Sequence, residues 1–244
     1  QQHLNESLFP LSGFSNKKTI NCNENGYYSI FQSDRFGFNN PDTEWDSENI
    51  EFLLVGDSFT MGSCVNRPHD IASKLRQLSN KNVLNLGYVA NGPLFQYATL
   101  REYLDKKVKN IIWLYYENDI FNLDRDLKSK ILLKYLKDKN FSQNLKFKQS
   151  KIDNALTKFL IKVEDLEAKK QLIDKEEKNS LIYKIEKFIT LKNVRELFLD
   201  KYFMKQNIQK QIRPEFEQIL SKSKKLSDKN NSDFYFVFLP SYQR

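Results

Sequence analysis

The sequence predicts an α/β protein: a parallel sheet with helices on both faces, three layers in all, broken by a long helical insertion. Three observations predict it. Between residues 50 and 116, short continuous apolar runs alternate with stretches of helical period. Each run ends in a cluster of Gly, Asn, Asp or Ser. One further strand-like run, residues 233–240, follows a segment whose period is helical throughout, residues 126–231.

The elements follow in order. Residues 1–49 are rich in Asn, Ser and aromatics and read as an irregular extension with one hairpin, in which Thr19 to Asn23 and Tyr27 to Phe31 flank the turn pair Asn25-Gly26. The turn-rich segment Asp34-Arg35-Phe36-Gly37-Phe38-Asn39-Asn40-Pro41 is expected to pack on the domain. Phe52-Leu53-Leu54-Val55, ending at Gly56, has the pattern of a strand covered on both faces. Ile71, Leu75 and Leu78 share a helical stripe behind Asp70, a natural N-cap. Residues 82–86 read as a second strand, 94–104 as a second helix and 110–115 as a third strand. Short joints between them call for right-handed crossovers and a parallel sheet, residues 50–125 forming the first part of the core.

Residues 126–231 carry narrow apolar stripes at 127/131/135, 152/156/159/163/166, 181/185/188 and 208/212/216/219, with heavily charged opposite faces. They read as a Lys-rich helical insertion, after which residues 232–244 return to a buried core strand closed by Pro240. No apolar run approaches the ~18 residues of a membrane-spanning helix. The start at Gln1 and the stop soon after a strand suggest a processed product or fragment, with a removed signal or an upstream membrane anchor outside the chain.

The net charge of +8 is uneven. Residues 1–125 hold 12 Lys+Arg against 15 Asp+Glu, whereas residues 126–244 hold 27 against 16. The lysines of the second half are interleaved with acids, only 3 of the 27 are Arg, and no nucleic-acid-binding signature accompanies them. That is a solvated helix surface, so nucleic acid is not the expected partner. Cys22 and Cys64 are compatible with a single bridge, and the expectation from two cysteines alone is a pair of unpaired side chains. No His/Cys/Asp cluster has metal-ligand spacing, and no cofactor is implied.

The chemistry sits where parallel sheets collect ligands, at the carboxyl ends of the strands. Gly56-Asp57-Ser58-Phe59-Thr60 leaves the first strand, Asn85-Leu86-Gly87-Tyr88-Val89-Ala90-Asn91-Gly92 the second, and Glu117-Asn118-Asp119 the third. A serine opening a helix there has backbone N–H groups to stabilise negative charge, although Asp-Ser reads equally as a helix cap and Asn118 equally as a turn residue. Taken together, the three blocks resemble the SGNH/GDSL hydrolase family, over residues 50–120, and the segment 34–41 looks like the one preceding the first block in bacterial envelope-associated members.

That resemblance implies a flavodoxin-like, SGNH-type fold and a serine ester hydrolase. Ser58 matches the nucleophile. Its own amide, a second-block amide and the Asn118 side chain match the oxyanion hole. Ala90 stands where the family has a glycine, between Gly87 and Gly92, and serves only if the loop does not need positive φ. Asp57 and Asp119 are expected to brace loops. The family's histidine base lies beyond the last strand and has no match here; His69 and His3 are poor substitutes, so the chain reads as truncated before that block. The implied substrate is an O-acylated carbohydrate or lipid-like ester, with the bacterial cell envelope or periplasm as the setting and the cytoplasm as the alternative. An O-acyltransferase on envelope polysaccharide, an inactive SGNH binding module and a helical assembly through residues 126–231 are the rival readings.

Overall fold

The computed structural model describes residues 8–24, 26–178 and 213–240, with residues 167–178 described by backbone alone. The elements are β1 (Lys18–Cys22), β2 (Ser29–Gln32), β3 (Asn49–Gly56), α1 (Ser58–Met61), α2 (Ile71–Ser79), β4 (Val83–Asn85), α3 (Pro93–Tyr103), β5 (Lys107–Tyr116), α4 (Asp119–Asp126), α5 (Lys130–Lys137), α6 (Gln149–Lys178), α7 (Pro214–Lys229) and β6 (Asp233–Leu239). Strands β3 to β6 form a parallel sheet in the order β4-β3-β5-β6, and β1 pairs with β2 in a separate antiparallel hairpin. The fold is α/β, a flavodoxin-like three-layer sandwich.

Alternation along the strands divides the core between two faces. Leu54, Val83 and Ala72 form a small cluster under α2, with Phe52, Leu75 and Ile112 packed against it. Leu53, Val55, Ile111, Trp113 and Tyr115 enter the larger core, which also takes in Leu94, Phe95, Tyr103, Tyr135, Phe216 and Ile219 from α3, α5 and α7. Every residue of α3 except Arg101 is buried, so this helix is enclosed rather than amphipathic. Each large side chain buried there contributes roughly 1.5–3 kcal/mol.

Buried polar groups fasten the layers. Glu102 of α3 accepts from Tyr135 Oη (2.5 Å), Ser142 Oγ (2.9 Å), Gln143 N (2.7 Å) and Leu145 N (2.8 Å), which satisfies its carboxylate and fixes the loop after α5. Arg101 donates to the carbonyls of Tyr135, Asp138, Lys139 and Phe141 and so caps the carboxyl end of α5. Asp34 accepts from Phe36 N, Phe38 N, Asn40 Nδ2 and Trp45 Nε1 at 2.7–2.9 Å, which folds the 34–45 segment around one enclosed carboxylate.

Several expectations change in detail. The hairpin forms, but its strands are joined by residues 23–28 rather than by a two-residue turn; Gly26 has φ +78°, and Asn25 lies outside the described residues. Helix α2 exposes Ile71 and Leu78 and turns Ala72 and Ser73 inward, because Arg76 reaches the sheet side to pair with Glu44 at 3.0 Å and to donate to Val83 O and Asn40 Oδ1. Strand β6 is not covered as a core strand: among the described residues it is the edge of the sheet, with Tyr235 49% and Phe238 53% exposed. Cys22 and Cys64 are not unpaired but form a disulfide, Cα atoms 4.8 Å apart, which a count of two cysteines does not reveal.

The chain divides into two compact units, residues 1–156 with 214–244, and residues 157–213. Residues 126–156 and 214–231, which the change of period assigns to the insertion, belong to the first unit, because α5 and α7 supply Tyr135, Leu136, Phe216 and Ile219 to its core. In the second unit residues 157–178 are helical, with Leu160, Ile161 and Leu166 exposed. The stripe at 181/185/188 and the residues 208 and 212 lie outside the described residues. No helix among the described residues is long and apolar enough to cross a membrane.

Candidate active site

Strand β3 lies between β4 and β5, with Leu54 opposite Asn85 on one side and Gly56 opposite Leu114 on the other. The three polar blocks therefore leave neighbouring strands at one edge of the sheet. Ser58 opens α1, a single turn too short to persist alone. Asp57 caps it, accepting from Phe59 N at 2.9 Å, and the Ser58 hydroxyl lies 3.5 Å from Asp57 Oδ2.

The underside of α1 is held by three asparagines. Asn85 Nδ2 donates to Thr60 O (2.6 Å) and Asn39 Nδ2 to Met61 O (2.8 Å). Asn40 is locked to Asn85, its Nδ2 donating to Asn85 O (3.0 Å) and its Oδ1 accepting from Asn85 N (2.9 Å). Thus the segment 34–41 is bolted to the first and second blocks at once. The hairpin adds a second brace on the loop after α1: besides the disulfide, Asn21 Nδ2 donates to Ser63 Oγ (2.8 Å), Ile30 N to Asn66 Oδ1 (2.7 Å) and Arg67 to Gln32 O (2.7 Å).

In the second block, Gly87 and Ala90 have different surroundings. Gly87 donates its N–H to Asn85 Oδ1 (2.8 Å), so that amide is already engaged, and a Cβ at Gly87 would come within 2.4 Å of Met61 N. Its use is close approach to α1. Ala90 is exposed, with φ +52°, so the loop does adopt the left-handed conformation that favours glycine; Arg125 donates to its carbonyl. Next to it, buried Asn91 donates to Gly56 O (3.3 Å) and accepts from Gln96 Nε2 (3.2 Å), while Gln96 Oε1 accepts from Trp113 Nε1 (2.5 Å). This relay ties the second block to the ends of both β3 and β5.

Asn118 is exposed at the N-cap of α4, and its side chain makes no capping bond. The turn that carries it is closed by Asp119, whose Oδ2 accepts from Tyr116 N at 3.3 Å. The Phe59 and Tyr116 rings lie against each other at a tilt of 36°, centroids 4.4 Å apart, so the residue after Ser58 touches the residue two before Asn118. His69 is exposed in the loop before α2, and His3 lies outside the described residues; among the described residues no histidine is hydrogen-bonded to Ser58.

Three buried carboxyls surround the rim. Burial raises Asp57; burial and the charge of Asp57 push Asp119 up to about 8; burial pushes Asp126, which accepts from Phe95 N at the start of α3, up to about 6. The one group among the described residues with metal-ligand spacing is Cys22, Glu24 and Cys64, and its sulfurs are joined in the disulfide.

Reading the residues singly assigns no role to Asn39, Asn40, Asn85 and Asn91, since asparagine at a loop or strand end looks like a turn former, nor to Gln96, which reads as an ordinary helix residue. The available signal was their density beside strand ends. No protein-family model matches the chain, and no curated protein or solved structure matches it either.

Proposed function

We propose that the protein is an SGNH-type serine ester hydrolase. One observation carries the reading: a serine at a capped strand exit, an asparagine amide not spent on capping, and a braced glycine-containing loop leave three adjacent parallel strands at one edge. In this reading Ser58 Oγ attacks the ester carbonyl. The Ser58 amide and the Asn118 side chain receive the developing oxyanion, and the family's histidine base, for which the described residues offer no match, takes the serine proton and returns it to the leaving alcohol. Water then releases the acid.

The substrate class we propose is an O-acylated carbohydrate or a lipid-like ester. Phe59, 48% exposed, and Phe121, 47% exposed, offer apolar ring faces flanking the two turns. A disulfide in a two-cysteine chain fits an oxidising compartment, which favours the bacterial envelope or periplasm over the cytoplasm.

A fluorophosphonate probe applied to the full-length protein tests the reading. Expected are labelling at Ser58, loss of labelling in Ser58→Ala, and a drop in ester turnover of at least ~10³-fold. Asn118→Ala should lower kcat by ~10²–10³-fold with an unchanged fold. A full-length protein that neither labels nor turns over acetyl esters of sugars or of a simple phenol ends the hydrolase reading.

A further inference from the structure

Asp119 is completely buried, and its two oxygens have unequal surroundings. Oδ2 accepts from Tyr116 N, while Oδ1 is enclosed without a well-formed hydrogen bond among the described residues. An ionised carboxylate oxygen in that position gives up hydration for no more than a partial contact with the Gln96 amide, which is costly. Its neighbours make matters worse for the anion. Asp57, from the turn after β3, is the charge that acts on it most strongly, and Asp126, on its own helix, adds a weaker repulsion. Tyr115 of β5 feels its charge, Arg125 bears on Asp126, and the amide of Gln96 from α3 offers the ionised form only partial support. Asp57 in turn caps the helix that Ser58 opens, and Asp119 closes the turn of Asn118.

We propose that Asp119 is a positioning residue that acts as a neutral carboxylic acid: while protonated it lets the Ser58 and Asn118 turns sit together, and its ionisation beside Asp57 forces the ends of β3 and β5 apart. The inference deepens the hydrolase reading and rests on it only for the catalytic consequence. Among the groups around this point, burial pushes Asp126 up to about 6 and Tyr115 up to about 12 and raises Asp57 as well, so the Asp119 carboxyl carbon itself, rather than the amide signals, identifies the group that titrates.

The test follows ¹⁵N and carboxyl ¹³C signals of the full-length protein between pH 6 and 10. The Asp119 carboxyl, the Ser58 amide and the Asn118 side-chain NH₂ are expected to move together with one midpoint near 8. In Asp119→Asn, which is neutral at every pH, the Ser58 and Asn118 signals should stay still. Asp57→Asn removes the charge that acts on Asp119 most strongly and should lower the midpoint. A wild-type Asp119 carbon already ionised at pH 6, or Ser58 and Asn118 signals that ignore its titration, overturns the proposal without recourse to any variant. In ester turnover, kcat/KM should fall toward tenfold per pH unit above the same midpoint, and Asp119→Asn should abolish that limb; a limb that survives the substitution also overturns it. A protein inert toward every ester but with the three signals coupled retires the hydrolase reading and leaves the inference about Asp119 intact.

Discussion

Ala90 holds a left-handed backbone that an L-residue adopts at a cost of about 1–2 kcal/mol, and Arg125 secures it by donating to its carbonyl. Ala90→Gly relieves that cost but loosens the unfolded chain, so the net expectation is stabilisation of roughly 0.5 kcal/mol, read from urea denaturation. Asp34 shows the opposite case. Burial raises its pKa, and hydrogen bonds from Trp45, Asn40, Phe38 and Phe36 oppose the shift. Asp34→Ala would strand those four donors in the core, and an expected loss of about 3 kcal/mol or more follows, measured in the same way. Of these two positions, Ala90 was readable as a departure from glycine, whereas nothing local marks Asp34 as a hub, because its four partners converge only when the segment 34–45 folds back on itself.

Short pieces of structure here are kept in place by their neighbours. Helix α1 has one turn, yet Asn39, Asn85 and the Gly87 backbone close its underside, and the hairpin is tied beyond it through Cys22–Cys64. Gly87→Ala should push α1 away from β4 and cost serine labelling before it costs the fold, a pattern that comparing probe labelling with circular dichroism would detect. Reducing the disulfide, or Cys22→Ser with Cys64→Ser, should lower stability by about 2–4 kcal/mol, measured as a shift in Tm, and thiol titration of the native protein should find none. The strands β3 and β5 and the helices α2 and α3 lie close to where the sequence pattern places them. The exposed face of α2 does not, because a single long side chain, Arg76, outweighed the apolar stripe by finding Glu44, Asn40 and Val83 O together.

Taken as a whole, the protein carries buried carboxyls whose pKa values are raised: Asp34, Asp57, Asp119 and Asp126. A carboxyl that binds its proton more tightly when folded than when unfolded stabilises the fold at low pH, and that contribution declines as pH rises from the unfolded pKa to the folded one. Stability measured by urea denaturation is therefore expected to fall as pH rises from about 4, and Asp119, pushed up to about 8, contributes to that fall across the whole interval from about 4 to about 8. Asp119→Asn should make the fall shallower throughout that interval. A profile that rises through this window would contradict the assignment.

Alternation of apolar runs with helical stretches was enough to specify the α/β class and the strands β3, β4 and β5, and the polar clusters behind them located the candidate site at one sheet edge. Those signals are local, written in the period of burial along the chain. The pairing of Cys22 with Cys64, the asparagine braces under α1, the shared burial of Asp57 and Asp119, and the membership of α5 and α7 in the first unit depend on segments far apart in sequence meeting in space. Such contacts leave no periodic trace, since a buried polar group records its partner only through geometry.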